Sequence, residues 1–292
     1  MPAYKVFSHD DKPKVSVIIP SLDGFRGGNV EKLISDIKSQ SFKSVEIILS
    51  VNEKPNGHAR NVGSEIISKS AIVVCFFDDD IVLGNKRVIE NFYNELKDNK
   101  IGLIGASQLA PKSSSILQKW ISYDLSKASS NIKQKLADSE MVTHAGLACR
   151  VSVWKQYNGE DSSLVTGTDT DLRARLRSGG LRVAIAPNTF VFHPLPSNIL
   201  TIFKSAKFHG IHQYEFRLKH GFQQKVYSPF IKVNNYFLLA FIILREVFFF
   251  IPHIFITNRK FFLGFRPINS CYRIIMVISY AINCYNQTNK DE

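Results

Sequence analysis

The sequence predicts an α/β fold with a mainly parallel central sheet, on three observations. From residue 14 onward, short β-branched apolar runs alternate with stretches of helical periodicity. Glycine and proline punctuate the connections between them. One apolar run ends in three consecutive aspartates, Asp78, Asp79 and Asp80. In sheets built from strand–helix–strand units, ligands collect beyond the carboxyl ends of the strands, so the triplet is delivered where a ligand would sit.

Residues 14–20 (KVSVIIP) read as a buried strand, ended by a turn that contains Asp23, Gly24, Gly27 and Gly28. Val30, Leu33, Ile34 and Ile37 then recur at i, i+3, i+4, i+7, the apolar stripe of a helix with Asn29 as its N-cap. Residues 45–51 form a second strand, 55–57 a loop, 59–68 a helix and 71–77 the third strand. Val88, Ile89, Phe92 and Leu96 make another helical stripe, followed by a strand at 101–105. The polar, weakly periodic stretch 107–138 is expected to form a mobile or substrate-shaped insertion. Residues 166–171 open a basic helix at 172–178, with Asp171 as candidate cap and the Gly179–Gly180 pair as its stop. Two short strands, 183–186 and 190–192, lead to His193 and Pro194.

With 45% hydrophobic and 21% charged residues among 292, the chain is of the packed, globular class rather than the disordered one. Its net charge of +12 is uneven, with twelve Lys and Arg against four Asp and Glu from Thr201 onward. Such a field attracts phosphates, anionic lipid or nucleic acid. It lies beside long apolar runs, and no basic recognition helix or aromatic-basic RNA motif accompanies it, so nucleic acid is not an expected partner. The four cysteines are far apart and form no C-x-x-C pair, which suits reduced thiols. Residues 1–14 lack the apolar core of a secretory leader, so the expected location is the cytoplasmic face of the cell membrane.

Residues 236–256 are apolar but carry Arg245, Glu246 and Pro252, and a second apolar stretch follows at 274–282. Helices lying in one leaflet are expected, peripheral or monotopic, with Lys232, Arg259, Lys260, Arg266 and Arg273 at head-group level. An integral span through 236–256, or packing on the domain or on a partner chain, are the alternatives.

Three adjacent carboxylates repel one another and imply a compensating cation, although alone they also suit a solvated acidic turn. Asp78 and Asp80 point the same way if the backbone stays extended, and carboxylate oxygens suit Mg²⁺ or Mn²⁺. Taken with VSVIIPS at 15–21, GHARN at 57–61, GTDTDL at 167–172 and FHP at 192–194, the triplet resembles, in order, the landmarks of family 2 glycosyltransferases with the GT-A fold. That is a Rossmann-like nucleotide-sugar-binding fold, and the resemblance covers residues 14–195.

The resemblance implies inverting, metal-dependent transfer of a sugar from a nucleotide diphosphate sugar to a hydroxyl of a glycan or lipid-linked acceptor. Asp78 and Asp80 look like the D-x-D pair, with Asp80 the direct metal ligand and Asp78 or Asp79 nearer the ribose. His193 is similar to the late histidine that completes the metal site, and an imidazole suits Mn²⁺ better than Mg²⁺. Asp169 falls where the family places its catalytic base, the second residue of a Glu-Asp pair whose first position is Thr168 here. Pro20, Ser21 and Asp23 look like the strand edge that holds the nucleotide base, and Arg60 and Asn61 like the basic turn flanking it. Asn52 stands beside the place where members commonly carry a base-reading acid. The donor therefore reads as a UDP-sugar by default, with dTDP- and GDP-sugars open. His144 and Gly146 fall in the stretch that lines the sugar and acceptor side.

By this reading residues 1–13 are an N-terminal extension, 14–198 the catalytic domain and 199–292 a basic, hydrophobic, helical, membrane-associating region. A non-catalytic binding protein of the same fold at the membrane is the alternative, raised by Thr168 and by the missing acid at Asn52.

Overall fold

The computed structural model describes residues 3–124, 131–140, 142–220 and 267–288, with scattered positions between 240 and 247. The chain runs β1 (Ala3–Ser8), β2 (Val15–Ser21), α1 (Asn29–Lys38), β3 (Val45–Val51), α2 (Asn56–Glu65), β4 (Val73–Phe76), β5 (Val82–Leu83) and α3 (Val88–Glu95). It continues through β6 (Ile101–Leu109), α4 (Ile116–Asp124), β7 (Ala137–Asp138), β8 (Leu147–Arg150), α5 (Val151–Gln156), α6 (Thr168–Ser178), β9 (Arg182–Phe192), α7 (Ile199–His220) and α8 (Pro267–Thr288). Two compact units result, Met1–Pro111 with Ser129–Pro194, and Lys112–Ala128 with Leu195–Glu292.

The first unit holds a nine-stranded sheet in the order β1-β3-β2-β4-β8-β6-β9-β5, with β7 also on β9. Alternation along the strands sets the layers. Val15, Val17 and Ile19 of β2 face Val30, Leu33 and Ile37 of α1 and Val88, Ile89 and Phe92 of α3. Ile18 between them faces the other way, with Val153 and Trp154 of α5 and Leu172 and Leu176 of α6. Gly63 lets α2 lie against this second face, since a Cβ there would stand 2.6 Å from Ile18 Cγ2.

The expectation of a mainly parallel sheet is corrected. Only β2/β3, β2/β4 and β6/β9 pair in parallel. The pairs β1/β3, β4/β8, β6/β8, β5/β9 and β7/β9 are antiparallel. Burial on both faces makes a strand uniformly apolar whatever its direction, so composition reads depth and not orientation. Residues 1–13, set apart in the sequence reading, supply β1 to the sheet edge. Lys5 of β1 pairs there with the fully buried Glu46, which also accepts hydrogen bonds from Ser16 Oγ at 2.5 Å and Ser68 N at 2.6 Å. Burial alone would raise the Glu46 carboxyl, but these partners hold it below its ordinary value.

Local differences have simple causes. Gly28 at φ +85° and Gly167 at φ +78° precede α1 and α6, in place of Asn29 and Asp171 as caps. Asp171 lies inside α6 and pairs with Arg175 at 2.6 Å, one turn on. The two short strands at 183–186 and 190–192 are one strand, β9, with a register shift opposite Gly105 and Ser107 and Asn188 at φ +49°. Within the expected insertion at 107–138, the described residues include the end of β6, α4 and β7. Cys75 and Cys149 are buried free thiols, raised by burial, and Cys271 is free as well.

In the second unit, α4, α7 and α8 share a small core of Ile121, Ile202 and Ile268 with Leu117, Phe203 and Tyr272 around it. His209 Nδ1 hydrogen-bonds the Tyr272 hydroxyl, and Asn283 Nδ2 donates to the Ile211 carbonyl at 3.0 Å. Among the described residues no helix is long and apolar enough to cross a membrane. Lys232, Arg259, Lys260, Arg266, Arg245, Glu246 and Pro252 lie outside the described residues, as does most of 236–256.

Candidate active site

The carboxyl end of β4 leads through Phe77 into Asp78, Asp79 and Asp80. Because β4 lies beside β2 and β8, the triplet meets Ser21 at the end of β2 and the 143–146 turn that enters β8. The starts of α2 and α6 and the end of β9 reach the same edge of the sheet and bring Arg60, Asp169 and His193.

Each aspartate has its own partner. Asp78 Oδ1 accepts from Arg60 Nη2 at 2.7 Å. Asp79 Oδ2 accepts from Ser21 Oγ at 2.7 Å, and its other oxygen lies 3.6 Å from Arg26 Nε. Burial pushes the Asp79 carboxyl up, and Ser21 and Arg26 only partly oppose it, so its net shift is upward. Asp80 Oδ2 lies 3.3 Å from Arg26 Nη2 and its Oδ1 3.5 Å from His193 Nε2. The sequence places Asp78 with Asp80 on one ion; here Asp78 turns to Arg60 while Asp80 and His193 converge.

The residues at Asp80 suit a divalent cation in a restricted sense. Asp80 Oδ1 and His193 Nδ1 are buried atoms without hydrogen-bond partners. Among the described residues no three His, Cys, Asp or Glu side chains cluster tightly enough to hold a metal alone. The donor set fits an ion with two protein ligands whose remaining sites are filled by phosphate oxygens and water, the usual habit of hard cations.

Behind the triplet lies a buried ion network. Arg60, 2% exposed, joins Asp78 to Glu160 at 3.4 Å, and Glu160, fully buried, also pairs with His144 Nε2. A buried guanidinium is tolerable only when its N–H groups are paired, and here the two terminal nitrogens each meet a carboxylate. Burial would raise Glu160, but His144 and Arg60 overrule it and hold the carboxyl at about 2. Gly57 leaves room for this pairing, because a Cβ there would come 3.1 Å from Glu160 Oε2.

Asp169, in the first turn of α6, is held by Arg173 Nη1 at 2.9 Å and by the Thr170 N–H at 2.8 Å. Burial acts to raise it; His144 and Arg173 act the other way and prevail, so it stays a carboxylate. Its position at a helix N-terminus favours the same charge state.

Other sequence candidates sit differently. Asp23 is exposed and caps its own turn, accepting from Phe25 N at 2.9 Å and Arg26 N at 2.8 Å, which lowers its carboxyl. Asn52 is exposed at φ +61° beyond β3. Pro20 is buried within β2. Asn61 faces inward, exchanging hydrogen bonds with the Glu160 backbone at 2.7 and 3.0 Å. Gly146 is a packing position, where a Cβ would lie 3.2 Å from Val191 and 3.3 Å from Phe77. Three charged members were not singled out by the sequence reading, Glu160, Arg26 and Arg173, the last standing only within the basic helix expected at 172–178. The Gly159-Glu160 step after an apolar helix was the one available sign of the first; nothing marked the second.

The comparison that decides the family is a sequence model described as glycosyltransferase like family 2, which matches residues 47–209. The chain belongs to this family. It is a glycosyltransferase, and the matched span contains Arg60, the triplet, Glu160, Asp169 and His193. Among solved structures, a mannosyltransferase from Pyrobaculum calidifontis, in complex with GDP-Man and Mn²⁺, superimposes with TM-score 0.58 at 12% identity. The match covers 96% of this chain and 89% of that one, and gives this glycosyltransferase a mixed α/β fold whose sheet resembles that of GT-A enzymes. TarS from S. aureus overlaps at TM-score 0.48 and 12% identity, over 94% of this chain and 55% of its own. Drosophila β1,4-galactosyltransferase 7 overlaps at 0.43 and 17%, over 60% and 66%. No curated protein sequence matches the chain significantly.

Proposed function

We propose that this glycosyltransferase moves a sugar from a nucleotide diphosphate sugar to a hydroxyl of a glycan or lipid-linked acceptor, with inversion, using Asp169 as general base. The observation that carries the reading is a carboxylate kept ionised and fixed in direction by Arg173, on the same sheet edge as Asp78–Asp80. A single oriented base takes the acceptor proton as the oxygen attacks, and one direct displacement inverts the anomeric carbon. Asp80 and His193 would hold the cation. When bound, it would offset the charge that develops on the leaving diphosphate. Ser21 orients Asp79, and Arg60 holds Asp78, so the remaining carboxylates enter the donor site already positioned. A solved neighbour that carries GDP-Man and Mn²⁺ supports both a nucleotide-sugar donor and a divalent cation.

The test is calorimetric binding of UDP, GDP and dTDP with Mn²⁺ and then with EDTA, on the wild type and on Asp80→Asn. One nucleotide is expected to bind, with affinity reduced by roughly 10-fold or more by EDTA or by the substitution. Equal binding by Asp80→Asn would remove Asp80 from the metal site, and no binding of any nucleotide would overturn the donor class.

We place the enzyme at the cytoplasmic face of the cell membrane, through its C-terminal third. The basic excess there and the exposed Leu200, Ile282 and Tyr285 on α7 and α8 support this. The full chain should co-sediment with anionic vesicles at low salt and be released at high salt; no sedimentation would refute the location.

A further inference from the structure

The loop between β2 and α1 carries an arginine whose place in the donor site no feature of the sequence announced. Arg26 is non-glycine, yet its φ is +46°, within a run of glycines at φ +70° (Gly24), +61° (Gly27) and +85° (Gly28). Asp23 holds it there, since one carboxylate oxygen accepts both the Phe25 and the Arg26 N–H. A left-handed conformation is costly for a side chain with a Cβ and persists where the surroundings impose it. Here the effect is to send a long cationic side chain over the aspartate triplet.

What it does there differs from every other arginine in the site. Arg60 meets Asp78 at 2.7 Å, Arg173 meets Asp169 at 2.9 Å and Arg175 meets Asp171 at 2.6 Å, all from partly or fully buried positions. Arg26 reaches Asp79 only at 3.6 Å and Asp80 at 3.3 Å, and its side chain is 53% exposed. It leaves Asp80 Oδ1 without a hydrogen bond. Long, solvent-facing contacts of this kind are weak and exchange readily.

We propose that Arg26 is an exchangeable counter-ion of the donor site: it neutralises Asp79 and Asp80 when the site is empty, yields them to the divalent cation, and then holds the diphosphate that arrives with it. This rests on the nucleotide-sugar reading above. Charge counting supports the exchange. Arg60 is already shared by Asp78 and Glu160, so Arg26 is the guanidinium left to Asp79 and Asp80, and these three side chains together keep one net negative charge. A divalent cation added beside Arg26 turns that into a net positive charge, which repels the guanidinium and attracts a diphosphate. A planar guanidinium presents paired donors suited to phosphate oxygens, which a lysine does not reproduce. Arg26 therefore competes with the metal alone and cooperates with metal and nucleotide together.

The experiment uses the full chain, wild type, Arg26→Gln and Arg26→Lys, with folding checked by circular dichroism. Mn²⁺ binding without nucleotide is read by electron paramagnetic resonance, and nucleotide diphosphate binding at saturating Mn²⁺ by calorimetry. Arg26→Gln should bind Mn²⁺ alone about three-fold more tightly and the nucleotide about ten-fold more weakly, and Arg26→Lys should restore the Mn²⁺ value better than the nucleotide value. A wild type that binds both ligands, with Mn²⁺ affinity unchanged or weakened in Arg26→Gln, overturns the counter-ion role; unchanged nucleotide affinity overturns the exchange. A wild type that binds Mn²⁺ and no nucleotide overturns the donor reading instead.

Discussion

Asp169→Asn should lower kcat by about 10²- to 10⁴-fold while leaving the donor KM within a few-fold. The substitution keeps the size of the side chain and one accepting oxygen, enough for the Thr170 N–H at the α6 start, while the bond that Arg173 makes to the second carboxylate oxygen is lost. It removes the basic oxygen. An amide cannot take the acceptor proton, and by the proposed assignment the loss falls on the chemical step rather than on donor capture, which we assign to Ser21, Asp79 and Asp80. Steady-state kinetics with donor and acceptor varied separately give the division. Turnover within a few-fold of wild type would take the base away from Asp169, and a loss confined to donor KM would make it a binding residue.

Glu160→Gln should destabilise the fold by about 3–5 kcal/mol, the usual cost of removing one partner from a buried ion network. Arg60 would keep Asp78 alone, and His144 would lose the carboxylate it faces. For a chain of this size that corresponds to a fall in Tm of roughly 10 °C. The same residue gives a pH dependence with a definite sign. Glu160 is held at about 2 in the folded state against an ordinary value of 4.5. A carboxyl whose folded pKa is depressed contributes stability that is fully present above the unfolded value and is lost as pH falls toward the folded one. The wild type should therefore lose this contribution between about pH 4.5 and 2, and the variant should be flatter across that window. Parallel thermal melts as a function of pH would show it, and superimposable curves would mean the network is not structural.

The sequence announced the parts of this architecture that depend on short-range pattern. The apolar run 15–21, the stripe Val30-Leu33-Ile37 and the Asp triplet occupy the elements that their spacing indicated. Strand direction was not legible, because Val73–Phe76 and Leu147–Arg150 look equally buried whether they run together or opposed. At the site, Asp80, His193, Arg60 and Asp169 were visible through type and order. Glu160 was not, since its meaning comes from Arg60, a hundred residues away in sequence. Arg26 was hidden for a different reason: its role rests on a backbone conformation that composition does not encode.

Thr168 bears on where the negative charge behind the base can stand. Where the family resemblance leads one to look for Glu beside the base, this chain has a buried threonine that hydrogen-bonds the carboxylate of Glu160, eight residues earlier. An acid at 168 would set two carboxylates in one dry space, and one would be forced to take up a proton. The two positions therefore constrain each other within this chain: the negative charge behind the base is supplied by Glu160, with the neutral hydroxyl of Thr168 donating to it.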